Sequence, residues 1–169
     1  MKPTLTLTLT LPLAAIAITI GTLTPLQAQV RDEKTIPLAL AAEAAGAAVA
    51  ECQSKGFTAS AAVVDRAGQL KALHRADGAG PHTLDSAQRK AWTSASFRAN
   101  TAAMMENAQK NPGAANLWHI QGVILLAGGV PIRVGDQVVG AIGVGGAPSG
   151  AIDEECANAG IKKISDRLK

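Results

Sequence analysis

Apolar and polar positions alternate in distinct rhythms along the chain. Over residues 37–55 the rhythm is helical: Leu38, Ala41, Ala45, Ala48, Val49 and Cys52 share one face. Pro37 suits a first turn and Gly56 a stop. Because that face carries small side chains, the helix should lie flat against a sheet. A strand is expected over 59–65, centred on Val63 and Val64, then a turn at Arg66-Ala67-Gly68-Gln69 and a returning strand over 70–75. The glycine- and proline-bearing stretch 76–81 breaks the pattern. Residues 84–107 read as helical with an interruption near Asn100-Thr101, and a short helical turn follows Asn111-Pro112-Gly113 as far as Trp118. Three strands are expected next, over 122–126, 132–134 and 138–144, separated by turns at Gly128–Pro131 and Gly135–Gln137. A glycine-rich loop over 145–150 leads into a closing helix over 151–168. Its first turn carries Asp153, Glu154 and Glu155, and its end Lys162, Lys163 and Arg167, both matching the helix dipole.

Strands joined by tight turns pair antiparallel. The order therefore predicts an α+β domain with one five-stranded antiparallel sheet and helices mainly on one face. The 169 residues suffice for one domain. Hydrophobic residues make up 47% of the chain but aromatics only 2%, and Tyr is absent. With 17 glycines beside Ala, Val, Ile and Leu, the core requires close backbone approach, since small side chains leave voids between distant layers.

Residues 1–28 have the pattern of a cleaved export signal: Lys2, an apolar Thr/Leu-rich stretch over 5–23, and small Ala28 at the end. A retained membrane anchor is the rival reading, which Pro12 and the threonines disfavour. The domain is then 29–169, and the protein periplasmic or secreted. Removing Lys2 leaves 15 basic against 13 acidic residues, a mild excess without long basic clusters or a stacking platform, so nucleic acid is not an expected partner. Cys52 and Cys156, on the first and last helices, are either a disulfide or two buried thiols. They lack the CxxC spacing of a metal site.

Five runs carry a resemblance. They are Val63-Val64-Asp65-Arg66-Ala67-Gly68 with Arg75-Ala76-Asp77-Gly78-Ala79, Lys90-Ala91-Trp92-Thr93-Ser94-Ala95, Gly128-Gly129-Val130-Pro131-Ile132, Gly140-Ala141-Ile142-Gly143-Val144-Gly145-Gly146, and Asp153-Glu154-Glu155-Cys156-Ala157-Asn158-Ala159-Gly160. In this order they resemble the GlcG/HbpS family, the DUF336 or haem-degrading domains, which includes the C-terminal domain of PduO-type proteins. The resemblance spans about 38–168. It implies a profilin- or PAS-like fold, assembly into homo-oligomers, haem or a related tetrapyrrole as cofactor in exported members, and in some a membrane sensor partner or an iron-handling role. Two departures stand out: Trp92 occupies a position where Tyr is common, and the first helix has no His to serve as an axial ligand.

Haem iron takes His, Met, Cys or Tyr ligands, and the chain has three histidines. His82, in the loop before the Lys90 helix, and His119, beside Trp118, are the candidate iron ligands; His74 reads as a strand residue. Lys90 and Arg98 are candidate partners for propionates, Thr93 and Thr101 candidate hydroxyl contacts, and Gly128 and Gly129 candidate pocket walls. Arg89 reads as a solvated helix charge. Met104 and Met105 read as core before ligand. The loop Gly143–Pro148 lacks the Lys-Ser/Thr of a phosphate cradle and reads as close packing or a pocket lining. Ser149 has no nucleophile-elbow context. The pocket is expected where the helix around Lys90 and Thr93 faces Gly128. Three function classes follow: an exported haem-binding protein for scavenging or sensing, an enzyme degrading haem or acting on a small hydroxy acid, and an oligomeric scaffold without ligand.

Overall fold

The computed structural model describes residues 28–169; the expected export signal and its cleavage point otherwise lie outside them. Within Glu33–Lys169 the elements run α1 (Leu38–Ser54), β1 (Ser60–Asp65), β2 (Leu70–Arg75), α2 (His82–Phe97), α3 (Thr101–Lys110), α4 (Pro112–Ala115), a 3-10 turn (Asn116–His119), β3 (Gly129–Val134), β4 (Gln137–Gly145) and α5 (Gly150–Ile164). Among the described residues no helix is long and apolar enough to cross a membrane.

The sheet has four strands in the order β2-β1-β4-β3, with every neighbouring pair antiparallel. Each hairpin follows from its turn residues. Asp65 Oδ1 accepts the N–H groups of Ala67 and Gln69 at 2.9 Å each, and Gly68 takes the left-handed conformation that the β1–β2 turn requires. Val134 pairs with Gln137, leaving Gly135 (φ 56°) and Asp136 as a two-residue loop.

The fifth expected strand, over 122–126, is not formed. Its backbone instead lies against α2, whose side chains take up its polar groups. Arg89 Nη2 donates to Val123 O at 2.8 Å, and Thr93 Oγ1 accepts the Ile124 N–H at 3.0 Å. An apolar run satisfied by side chains has no need of a ladder partner. The interruption expected near Asn100-Thr101 within the helical stretch 84–107 is present: Arg98 turns left-handed (φ 56°) and separates α2 from α3.

Helices cover both faces, which corrects the expectation of helices mainly on one. Ala61 and Val63 of β1, with Ile142 and Val144 of β4, face α1 and α5; Ala62, Val64 and Ala141 face Ala87, Ala91 and Ala95 of α2. Consequently β1 is buried on both faces up to its last residue. Alternation cannot be read in a strand that is apolar throughout, so the sequence hides the second layer. The close approach expected of a glycine-rich core is present. A Cβ on Gly143 would stand 2.2 Å from Ala87 O and 2.4 Å from Ala91 N, and one on Gly160 2.5 Å from Ala44 O. Cys52 and Cys156 are joined in a disulfide between α1 and α5, with Cα atoms 5.5 Å apart.

Candidate functional site

Seating α2 on Gly143 carries Lys90 to the end of β4. There the Lys90 ammonium donates to Val144 O at 2.9 Å and to Asp153 Oδ2 at 2.7 Å. Asp153 arrives from the first turn of α5, whose N-cap Ser149 accepts the Ile152 N–H. Its other oxygen, Oδ1, accepts the Ala147 N–H at 3.0 Å. One buried pair thus ties together α2, the end of β4, the glycine-rich loop and α5. Burial pushes the Asp153 carboxyl above its ordinary range, opposed by the Lys90 hydrogen bond and charge and by the Ala147 N–H.

Over this pair opens a cleft of about 850 Å³, within the range of small-molecule and cofactor sites. His82 and Ser86 of α2 form one side, Ala102 and Met105 of α3 another, with Leu126 beside them. The loop from Gly145 to Ser149 and the first turns of α5, including Glu154 and Glu155, complete the wall. His82 is exposed at the first position of α2. Its neighbour Thr83 is anchored, donating to Gly80 O at 2.6 Å and sharing a 2.7 Å hydrogen bond with Ser60 Oγ. The imidazole itself lies over Gly80, where a Cβ would come within 2.7 Å of Cε1.

Of the ligand and contact residues expected from the sequence, His82 and Lys90 meet in this cleft, while His119, Arg98, Thr93, Thr101 and the Gly128–Gly129 doublet do not line it. His119 is exposed and stacks on Trp118, ring centroids 4.0 Å apart. Arg98 is exposed at the α2–α3 break, its carbonyl accepting from Arg133 at 2.7 Å. Thr93 is buried against Ile124 N, and Thr101 accepts the Gly129 N–H at 2.8 Å. The contact of α2 with the glycine doublet is filled. A Cβ on Gly129 would lie 2.4 Å from Lys90 O, and one on Gly128 2.7 Å from Asp153 Cβ. The doublet therefore permits close packing, and the open space lies on the other side of the Lys90–Asp153 pair. The glycine-rich loop lines this space without sharing it with Gly128 and Gly129, and its glycines are also closely packed. Met104 is buried, whereas half-buried Met105 faces the cleft.

In the sequence Asp153 and Glu154 figure in the helix dipole and in a family-like run, and not among the candidate site residues. The signal for more was an acidic pair directly after the glycine-rich loop, while Lys90, inside an otherwise small-residue helix, needed a buried counter-charge.

The family model described as "Haem degrading protein HbpS-like" matches residues 36–162. A double mutant of Streptomyces reticuli HbpS is 39% identical, covering 82% of this chain and 95% of its own, with a TM-score of 0.74. A PduOC:heme complex is 25% identical, covering 77% and 95%, with a TM-score of 0.69. Protein GlcG of Escherichia coli K12 is 36% identical over 94 residues, 56% of this chain and 69% of its own. The four-stranded sheet with its flanking helices is thus an HbpS-like fold, and the chain belongs to the GlcG/HbpS family.

Proposed function

We propose that the protein is an exported haem-binding protein, holding haem or a related tetrapyrrole in the cleft between α2, α3 and the start of α5. The observation that carries this reading is the cleft itself. It is large enough for a flat macrocycle, sets apolar walls from Ala102, Met105, Leu126 and Ala127 against polar and charged groups from α2 and the start of α5, and has an imidazole at its edge. The HbpS-like family match and the haem complex of the related PduOC fold support it. Bound haem would supply an iron centre that accepts a nitrogen or thioether donor.

His82 is the residue proposed to hold that iron, because its ring is exposed while its backbone is fixed by the Thr83–Ser60 contact. Met105 is the second donor of suitable type in the cleft. Lys90 would act from beneath: committed to Asp153 and Val144, it shapes the cleft and is not free to pair with propionates. His119 stands outside the lining, so a paired His82/His119 ligation is not part of the proposal.

Export is supported by the leader pattern of residues 1–28 and by the Cys52–Cys156 disulfide, which suits an oxidising compartment. The family resemblance and exposed Trp118, Ile120 and Leu126 support self-association; an association with a membrane sensor rests on the resemblance alone. The test is a hemin titration of the purified domain. A saturable Soret shift that weakens in His82→Ala and persists in His119→Ala is expected. No saturable shift in the parent protein overturns the reading.

A further inference from the structure

Glu154 sits in the cleft wall one residue beyond Asp153, and its carboxylate is half used. Oε1 accepts a 2.8 Å hydrogen bond from Asn100 Nδ2, while Oε2 is buried without a partner, alone in this among the buried side-chain N and O atoms of the described residues. A buried acceptor left unmade costs about 1–3 kcal/mol, more when charged, so its persistence calls for a reason.

Two further local costs converge on the same side chain. Asn100 is the N-cap of α3, a position where its side chain would ordinarily satisfy a helix N–H, yet it makes no such bond and turns to Glu154 instead. The residue that delivers Asn100 to this place is Arg98, the one non-glycine residue at positive φ among those described. Backbone strain and unmet polar groups of this kind cluster at functional sites, where their local cost is offset elsewhere.

We propose that Glu154 is a ligand-contacting residue whose unpaired carboxylate oxygen is the anionic donor to the metal of a tetrapyrrole in the cleft. The proposal rests on the haem-binding reading and names what faces the metal within it. Asn100 holds Oε1, so Oε2 of this cleft-lining residue keeps its full capacity to accept from a cation. Haem proteins do use an anionic oxygen donor, the phenolate of Tyr. This chain has no Tyr; of the other cleft carboxylates, Asp153 has both oxygens held by Lys90 and Ala147, and exposed Glu155 pairs with Lys55 at 3.0 Å.

Glu154→Gln keeps the shape and removes the charge. Binding of ferric protoporphyrin and of metal-free protoporphyrin is measured on the full domain, with circular dichroism confirming the fold. Loss of a charge-assisted contact should weaken the ferric ligand by about tenfold or more and leave the metal-free ring within about twofold. Asn100→Ala, which only unties the carboxylate, should weaken the ferric ligand alone and by less, and serves if Glu154→Gln does not fold. Equal weakening of both ligands, or unchanged ferric binding, overturns the role of Glu154 while haem binding stands. Failure of the parent protein to bind either ring overturns both.

Discussion

Lys90 Nζ and Asp153 Oδ2 stand 2.7 Å apart, with the two side chains only 5% and 4% exposed. They join a helix on one face of the sheet to a helix on the other, around the end of β4. A cleft that needs three separate elements held in register is built over this contact.

Breaking the pair from one side should be severe. Lys90→Met leaves a buried carboxylate without its cation, and Asp153→Leu leaves a buried ammonium; each is expected to cost about 3–5 kcal/mol. The double variant, with both charges gone, should recover most of that loss. Denaturant melts of the three proteins measure it, and additive losses would show that the partners do not depend on each other.

The pair also has a pH signature. Because burial holds the Asp153 carboxyl above its ordinary 3.8, the folded protein binds this proton more tightly than the unfolded chain. The group's stabilising contribution is complete below 3.8 and is lost as pH rises through the raised folded value. Lys90→Met removes the largest opposing influence, so the Asp153 midpoint should move further up, and the variant should lose stability with rising pH more steeply than its parent. Carboxyl carbon NMR follows the midpoint directly. A midpoint that falls in the variant would reverse the assignment.

The disulfide closes a loop of 104 residues of sequence separation, which in the chain-entropy account stabilises by about 4–5 kcal/mol. Its removal in Cys52→Ala/Cys156→Ala should lower the melting temperature by on the order of 10 °C. Since Cys156 lies one turn beyond Asp153 on α5, hemin affinity should fall with it. Calorimetry with and without reductant checks the first part. Equal melting temperatures would mean the cross-link stabilises nothing.

Much of this architecture was legible because it is local. The Ala-rich face of α1, the Asp65–Gly68 turn, the Gly135-Asp136 loop and the break before Thr101 are each set by residues close in sequence. The second helical layer was not, because the all-apolar β1 gives no alternation to show which face each residue takes. The strand expected over 122–126 failed for a related reason: its hydrogen bonds go to Arg89 and Thr93, over thirty residues earlier. The site was half visible. His82 and Lys90 carry recognisable chemistry, but Asp153 and Glu154 gain theirs only from partners 63 and 54 residues away.

Gly143→Ala probes the α2 seating on which the site depends. Its Cβ would meet backbone atoms of Ala87 and Ala91, which cannot turn aside, so α2 must lift. A loss of about 1–3 kcal/mol or more is expected, together with weaker hemin binding because Lys90 moves with the helix. Thermal melts and the same titration measure both, and a neutral substitution would show a looser layer than the structure has.

The most direct measurement fills the cleft. Ala102 is half-buried on α3 and faces the cleft interior, so Ala102→Trp places a large ring where the ligand is proposed to lie while leaving Lys90, Asp153 and the disulfide intact. Hemin titration of this variant, with its circular dichroism and melting temperature close to the parent's, should show saturable binding abolished. Binding of parental affinity in the folded variant would contradict the account, for haem would then be held somewhere other than this cleft.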